Sequence, residues 1–310
     1  MPLIIPKSLP AYNALLDENI FVMRKERAVA QDIRPLEIAV VNLMPTKVTT
    51  ETQIARLLAN SPLQVHLTLL RMTSHESTHV SQDHLSMFYK SFDEVSHLRF
   101  DGMIITGAPV ETIPFEEVDY WSEICRVMEF SLNNVYSTLH VCWGAQAGLY
   151  YHFGIRKELL PEKMFGVFPH RVLRPGNPLV RGFDEVFLAP HSRHTGVNAD
   201  DVRACAQLRL LAESEEAGPF LMSTENGRQI FVTGHPEYDK LTLDAEYRRD
   251  IGKGMRIAVP KNYYPDDDPE RDPVFSWRGH AHLLYQNWLN YYVYQNTPYN
   301  LEDLTRYQGD

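Results

Sequence analysis

The sequence has few cysteines, no long apolar segment and no excess of positive charge. Its three cysteines, at positions 125, 142 and 205, form no Cys-x-x-Cys pair, so no disulfide framework is expected and a reducing compartment is favoured. No apolar run approaches the roughly 20 residues that cross a bilayer. The N-terminal segment also lacks the apolar core of a signal peptide. We therefore expect a cytoplasmic protein without a membrane span.

A net charge of −10 argues against nucleic acid as a partner, because such a surface repels phosphate backbones. Of the 310 residues, 44% are hydrophobic, which is enough for a large buried core. No internal repeat or flexible linker interrupts the chain. We expect one domain over 1–310, with an N-terminal extension (1–34), an α/β catalytic core (35–255) and an acidic loop with a C-terminal helix (256–310).

In the first half, short apolar runs alternate with amphipathic segments. Residues 37–44 predict a buried strand, and Thr50 with Gln53 forms a capping-box pattern that predicts the start of a helix. A second helix is predicted over 115–132. The other strands predicted here are 65–71, 102–106 and 137–141. This alternation is typical of a mainly parallel sheet with helices on both faces, whose sites lie at the carboxyl ends of the strands.

The pattern changes after residue 160, where short strand candidates follow one another. They are residues 185–189, 208–211, 219–223 and 229–233. Asn226-Gly227, between the last two, is a strong hairpin signal. We therefore expect an antiparallel addition to the parallel sheet, followed by a helix near 240–254 and a terminal helix near 275–294.

Cys142 is the candidate nucleophile. It ends a predicted strand and is followed by small residues such as Gly144 and Ala145 before a helix-like segment. A sharp strand-to-helix turn needs small neighbours, and it exposes the side chain at its apex as in a nucleophile elbow. The helix N-terminus favours the reactive thiolate. Cys125 and Cys205 lack this context and fit the common role of a free cysteine packed in the structure.

His235 and Glu237 are the candidate base and its partner. His235 follows the apolar run at 229–233, so it also lies at the carboxyl end of a predicted strand. Glu237 lies two residues on, where a carboxylate orients an imidazole as in a catalytic triad. Alone, His-Pro-Glu would be an ordinary polar turn; together with the Cys142 elbow it indicates a Cys-His-Glu triad.

Two motifs carry a resemblance to class I glutamine amidotransferases, namely HVCWGAQAG at 140–148 and TGHPEY at 233–238. This resemblance implies a flavodoxin-like, class I glutamine amidotransferase-like fold with a Cys-His-Glu triad. His140 departs from the amidotransferase pattern, in which glycine is usual. The sequence more closely resembles the homoserine O-acyltransferase family of methionine biosynthesis. The segments that carry this second resemblance are 42–65, TGAPVE at 106–111, KMFGVFPH at 163–170, PHSRHT at 190–195 and SWRGHAHLLYQNWLNYYVY at 276–294.

The second resemblance implies acyl transfer from acyl-CoA to the hydroxyl of L-homoserine through an acyl-cysteine. It also implies that Lys163, Ser192 and Arg249 line the substrate site. A guanidinium suits an amino-acid carboxylate, although each of these residues, read singly, would more often be a solvated surface residue. Lys47 is a weaker candidate, since a lysine after a strand often faces solvent. No permanently bound cofactor is expected, and acetyl-CoA is expected as a co-substrate.

The acyl group and the oxyanion hole depend on the loop after strand 102–106. The backbone N–H of Trp143 and a donor at Ala108 are the candidate oxyanion hole. Glu111 follows this loop, and its carboxylate would repel the free carboxylate of a succinyl group. In the family this resembles, acetyl-CoA users tend to carry Glu here and succinyl-CoA users Gly. The sequence therefore favours an acetyl donor, with Glu111 facing solvent as the alternative.

Other functions remain open at this point. The alternatives are a homoserine O-succinyltransferase, a glutamine-hydrolysing amidotransferase and a non-enzymatic sensor that uses oxidation of Cys142. The pairs His191/His194 and His280/His282 are weak metal signals, because they lack further ligands at suitable spacing, and no metal site is predicted. The aromatic-rich terminal helix is expected to pack on the core, and the resemblance also implies a homodimer.

Overall fold

The computed structural model describes residues 3–18, 22–23, 34–74 and 80–306. Twelve strands in these residues form one sheet. Their bounds are β1 Leu3–Ile4, β2 Val22–Met23, β3 Leu36–Val41, β4 Val65–Leu70, β5 Tyr89–Lys90, β6 Phe100–Ile105, β7 Val135–Val141, β8 Lys157–Val172, β9 Val186–Val197, β10 Leu208–Ser214, β11 Gly218–Thr224 and β12 Gln229–Val232.

The sheet is parallel along one part and antiparallel along the other. The order is β2-β1-β4-β3-β6-β7-β12-β11-β10-β8-β9, with β5 beside β4. Every pairing from β2 to β12 is parallel, and every pairing from β12 to β9 is antiparallel. The predicted mainly parallel sheet with an antiparallel addition is confirmed. We call β8–β11 the antiparallel extension.

Helices cover both faces of the parallel part. The α-helices of the described residues are α1 Pro10–Asp17, α2 Lys47–Ala59, α3 Gln82–Phe88, α4 Phe92–Val95, α5 Trp121–Asn134, α6 Trp143–Phe153, α7 Ala199–Ala204, α8 Thr242–Gly252 and α9 Arg278–Asn287. In β3, Ile38 and Val40 join the apolar cluster on one face, whereas Ala39 and Val41 join the cluster on the other. Because successive side chains point to opposite faces, a strand buried on both sides is apolar throughout.

The C-terminal segment changes helix type along its length. The predicted helix near 275–294 is α9 followed by a π-helix over Trp288–Tyr294. Trp288 donates from its indole Nε1 to Ser137 Oγ at 3.0 Å. Its ring also leaves no room for a side chain at Gly102, where a Cβ would lie 2.9 Å away. This close fit fixes the segment against the middle of the sheet.

One local prediction is wrong and one strand was missed. Thr50 does not cap a helix, because α2 begins three residues earlier at Lys47, and the Thr50 hydroxyl donates to the carbonyl of Thr46. The 16-residue strand β8 was also missed, because Pro161, Gly166 and Pro169 interrupt its apolar pattern. Across the described ranges no helix is long and apolar enough to cross a membrane.

Candidate active site

Cys142 lies at a strained turn between β7 and α6. Its φ of 51° and ψ of −114° place a residue with a side chain in a region that usually requires glycine. The turn is held by a hydrogen bond from the Cys142 N–H to the carbonyl of Val232 on the neighbouring strand, 2.7 Å long. The residue is 4% exposed. This is the backbone geometry of a nucleophile elbow.

Two glycines make room for the turn. A Cβ on Gly144 would lie 2.7 Å from the carbonyl oxygens of both Ile105 and Thr106, closer than real Cβ atoms come. A Cβ on Gly107 would lie 3.2 Å from Cys142 Cβ and 3.2 Å from His235 Cε1. The backbone of Gly107 therefore passes against both side chains, which places Cys142 and His235 side by side.

His235 is held between Glu237 and Cys142. Its Nδ1 lies 2.7 Å from Glu237 Oε1, so this nitrogen carries the proton that the carboxylate accepts and Nε2 is left for the sulfur. The His235 N–H donates to the carbonyl of Pro190 at 2.9 Å. The Tyr238 ring stacks on the imidazole with centroids 4.1 Å apart. All three predicted triad side chains are buried.

The pKa of His235 reflects this pairing. Burial by itself lowers it, but the charges of Cys142 and Glu237 and hydrogen bonds to both outweigh burial and raise the pKa well above its ordinary value. The protonated imidazole is thus favoured beside these two groups. A cysteine next to such a histidine can pass its proton to the ring and attack an electrophilic carbon.

The remaining cysteines do not share this environment. Cys125 is half-buried on α5, and burial raises the pKa of its thiol to about 11. Cys205 ends α7 and is also half-buried. Burial and the nearby charge of Glu116 therefore disfavour a thiolate at Cys125.

Both predicted oxyanion donors lie next to residues that contact the sulfur region, since Trp143 follows Cys142 and Ala108 follows Gly107, whose Cβ position is 3.7 Å from Cys142 Sγ. Trp143 is the first residue of α6, so its N–H has no acceptor within the helix. Gly107 touches Cys142, and Ala108, the next residue, is 8% exposed. The Thr106 hydroxyl accepts from the Leu43 N–H at 2.8 Å and donates to the Gly107 carbonyl at 3.1 Å. These bonds fix the loop that carries Ala108, the second predicted donor.

Glu111 lies in the same loop and is partly buried. Burial raises the pKa of its carboxyl group, while a hydrogen bond from the His194 backbone and the nearby His194, His235 and Arg193 work to lower it. Lys157 Nζ donates to the Glu111 carbonyl at 2.6 Å and fixes the backbone. The carboxyl group is therefore close enough to the triad to sense its charge.

Lys163, Ser192 and Arg249 meet at a second cluster. Lys163 Nζ is 3.6 Å from Asp250 Oδ2 and 3.9 Å from Glu246 Oε2. Arg249 Nε donates to Asp250 Oδ1 at 2.7 Å, and the Ser192 hydroxyl donates to Glu246 Oε2. Two cations and two carboxylates thus share one patch. We call this patch the acceptor subsite, after the substrate-lining role that the sequence resemblance predicts for Lys163, Ser192 and Arg249.

Local structure explains how the subsite forms. The register of β8 against β9 shifts between Leu159 and Met164, and such an irregularity re-aims the side chains within it, here Lys163. On α8, Glu246 lies three residues before Arg249 and four before Asp250, so all three occupy one face. Glu246 was missed from the sequence, although this spacing to Arg249 could have indicated it.

Lys47 is buried rather than facing solvent. It is 4% exposed at the start of α2, and its Nζ donates to the carbonyl of Asn42 at 2.6 Å. Burial lowers the pKa of its amine to about 8. The solvent-facing interpretation of Lys47 was therefore wrong, and its role in the site stays a prediction.

The histidine pairs have other partners. His191 Nε2 lies 3.0 Å from His170 Nε2, and His280 Nε2 lies 3.2 Å from Asp184 Oδ2. In the part of the chain that the structure describes, no group of three or more His, Cys, Asp or Glu side chains could hold a metal ion.

The sequence comparisons agree over nearly the whole chain. A sequence model of the homoserine O-succinyltransferase family matches residues 2–299. The chain belongs to this family. It is 58% identical over 304 residues to a homoserine O-acetyltransferase of Acetivibrio thermocellus, covering 98% of this chain and 100% of the relative. It is 60% identical to a homoserine O-acetyltransferase of Clostridium novyi over 299 residues, 96% of this chain and 99% of the relative. The predicted membership of this acyltransferase family is confirmed.

The fold of this homoserine acyltransferase family member extends beyond its sequence relatives. A glutamine amidotransferase from Thermotoga maritima superposes with a TM-score of 0.54 and 11% identity, covering 83% of this chain and 98% of the other. At such identity the likeness shows the fold alone. The predicted class I glutamine amidotransferase-like fold is confirmed.

Proposed function

We propose that the protein transfers an acetyl group from acetyl-CoA to the hydroxyl of L-homoserine, giving O-acetyl-L-homoserine and CoA. The observation that carries this proposal is His235 held between the Cys142 sulfur and the Glu237 carboxylate, beside a subsite with the charges of an amino-acid binding site. The full-length relatives named homoserine O-acetyltransferase support it.

In the first half-reaction, His235 holds the proton of Cys142 and the thiolate attacks the thioester carbonyl of acetyl-CoA. Charge moves to the carbonyl oxygen, where the N–H of Trp143 and a donor at Ala108 would stabilise it. One such donor lowers the barrier by about 3 kcal/mol. The intermediate collapses by breaking the bond to CoA sulfur, which takes the proton from His235 and leaves as CoA.

In the second half-reaction, His235 acts as base. Once Cys142 is a neutral thioester, the negative charge that raised the pKa of His235 is gone, so the neutral imidazole becomes accessible. It removes the homoserine hydroxyl proton as the oxygen attacks the acetyl carbonyl. Collapse breaks the carbon–sulfur bond and restores the thiolate–imidazolium pair.

The acceptor subsite fits homoserine by charge. The ammonium group suits the Glu246 carboxylate, and the carboxylate suits the Arg249 guanidinium and Lys163. Arg249 keeps 54% of its side chain exposed, so it is available to a ligand. Because Ser192 and Tyr238 both donate to Glu246, its oxygens are already oriented.

Glu111 favours an acetyl over a succinyl donor. A succinyl chain on Cys142 would bring a second carboxylate toward Glu111, which is partly buried. Like charges about 4 Å apart at an effective dielectric near 20 repel by about 4 kcal/mol. An acetyl group brings no such charge.

Intact-mass analysis tests the proposal directly. Mixing the protein with acetyl-CoA should add the mass of one acetyl group, and a homoserine chase should remove it. Peptide mapping should locate the acetyl group on Cys142. Succinyl-CoA should give little adduct, and Cys142→Ala should give none with either donor. An adduct that survives in Cys142→Ala, or ammonia released from glutamine at a comparable rate, would overturn the assignment.

We also expect a cytoplasmic homodimer. The low cysteine count supports a reducing compartment, and the partners we propose are the small molecules homoserine and acetyl-CoA. Light scattering of the purified protein measures the oligomeric state.

A further inference from the structure

Tyr238 connects the catalytic histidine to the acceptor subsite. One face of its ring stacks on His235, with centroids 4.1 Å apart and planes 18° from parallel. Its hydroxyl donates to Glu246 Oε1 at 2.8 Å. A single rigid side chain therefore touches the base and orients the carboxylate that faces the acceptor.

The backbone of Tyr238 is fixed from two sides. Its N–H donates to the carbonyl of His235 at 3.1 Å, closing a tight turn. Its own carbonyl accepts from the indole Nε1 of Trp277 at 2.9 Å. With the ring 4% exposed, neither the ring nor the turn can shift without disturbing these contacts.

Strand β9 provides a second connection between His235 and Glu246. The His235 N–H bonds the carbonyl of Pro190, and two residues later the Ser192 hydroxyl donates to Glu246 Oε2. Each oxygen of Glu246 thus accepts a hydrogen bond from a residue, Ser192 or Tyr238, that lies close to His235 in the fold. A ligand that moves Glu246 would therefore affect the position of His235 through both residues.

The hydroxyl of Tyr238 stays a donor throughout. Burial raises the pKa of Tyr238 well above its ordinary value, and the nearby Glu246, Glu237 and Cys142 charges raise it further. A neutral phenol beside a carboxylate neither takes nor gives up a proton in the reaction. Its contribution is therefore orientation of Glu246 and His235.

We infer that Tyr238 is a positioning residue that couples binding of the acceptor's ammonium group at Glu246 to the orientation of the His235 imidazole. This inference rests on the proposed function. It places the effect in the second half-reaction, when the acceptor is bound. The first half-reaction needs the ring stack but not the hydroxyl.

The test separates the two half-reactions in Tyr238→Phe and Tyr238→Leu. The phenylalanine variant keeps the ring and loses the bond to Glu246, so homoserine-dependent deacylation should fall about tenfold, mainly through KM for homoserine, while acylation by acetyl-CoA changes much less. The leucine variant also loses the stack, and acylation should fall as well.

Two controls isolate the hydroxyl. Tyr264→Phe removes another buried tyrosine hydroxyl that donates to a carboxylate on α8, that of Asp244, and it should leave deacylation unchanged. 4-Hydroxybutanoate lacks the ammonium group that Glu246 would bind. With this acceptor, Tyr238→Phe should therefore slow deacylation much less than it does with homoserine.

The outcomes distinguish this inference from the proposed function. If the wild-type protein forms no acetyl-enzyme, the proposed function fails whatever Tyr238 does. If the acetyl-enzyme forms but Tyr238→Phe slows both half-reactions equally, or neither, the coupling is overturned and the proposed function stands. An equal loss with homoserine and 4-hydroxybutanoate contradicts the coupling too.

Discussion

The candidate nucleophile and the proposed acceptor subsite are built by different physical means. Around Cys142, backbone carbonyl oxygens leave no space for a side chain at Gly144, and the Cys142 and His235 side chains leave little at Gly107. Around Glu246, charged side chains from β8 and α8 meet a serine hydroxyl from β9, with Arg249 half exposed. The first region is fixed by steric fit and the second by charge. Substitutions in the first should therefore disrupt the site itself, whereas those in the second should change mainly the binding of acceptor.

The largest effect is expected at Gly144. In Gly144→Ala the new Cβ would meet two carbonyl oxygens at 2.7 Å, so the elbow must shift. We expect acyl-enzyme formation to be lost and the free energy of unfolding to fall by about 2–5 kcal/mol. Denaturant unfolding and intact-mass analysis measure the two effects.

A matched glycine checks this prediction. Gly252, the last residue of α8, has nothing within 4 Å of its Cβ position. Gly252→Ala should leave acylation unchanged and stabilise the protein by up to about 1 kcal/mol. Full activity in Gly144→Ala would show that the turn at Cys142 tolerates movement. It would contradict the view that steric fit, rather than charge, determines this region.

A smaller effect is expected from Glu111→Gly. This variant removes the negative charge that opposes a succinyl chain, so the ratio of kcat/KM for succinyl-CoA over acetyl-CoA should rise, by up to about 1,000-fold. Glu117→Gly, which removes an exposed glutamate, should leave the ratio unchanged. An unaltered ratio in Glu111→Gly would remove charge repulsion from the account of donor choice.

The same ratio should depend on pH in the wild-type protein. Burial raises the pKa of Glu111, so the carboxyl group is charged above this raised pKa and becomes neutral as pH falls through it. Discrimination against succinyl-CoA should therefore weaken with falling pH. Titration of His235 affects both donors alike and cancels in the ratio.

The smallest effect is expected at the acceptor subsite. Arg249→Leu should raise KM for homoserine about 10- to 100-fold, because a charge-assisted bond to the substrate carboxylate is lost. Acylation by acetyl-CoA should persist. Arg248→Leu is the control, since Arg248 pairs with Asp244 and Glu270 instead. Equal loss in both half-reactions would show that the two regions are not separable.

The two regions also differ in how far the sequence predicts them. The elbow depends on neighbours in the chain, such as a short apolar strand followed by Cys142 and small residues, so local pattern is enough. His235 and Glu237 are also two residues apart. Their position beside Cys142 follows from parallel pairing of β7 with β12, because the carboxyl ends of parallel strands share one edge.

Three residues of the acceptor subsite were predicted from the family resemblance, but the sequence pattern did not show that they lie together. The position of Lys163 depends on a register shift in β8. This strand was not predicted, because proline and glycine interrupt its alternating pattern. Glu246 was missed because one carboxylate on an amphipathic helix is usually solvated. Lys47 was only a weaker candidate, because its buried carbonyl partner at Asn42 depends on where α2 begins.

The bond from Trp277 to the Tyr238 carbonyl has a consequence for local unfolding. Trp277 is 1% exposed and directly precedes α9, so detachment of the C-terminal helix frees the turn that holds His235. Segments that share such contacts open as one cooperative unit. Amide hydrogens of the catalytic turn should then exchange together with those of α9, and gentle heating should inactivate the enzyme when this unit opens, before the central strands unfold.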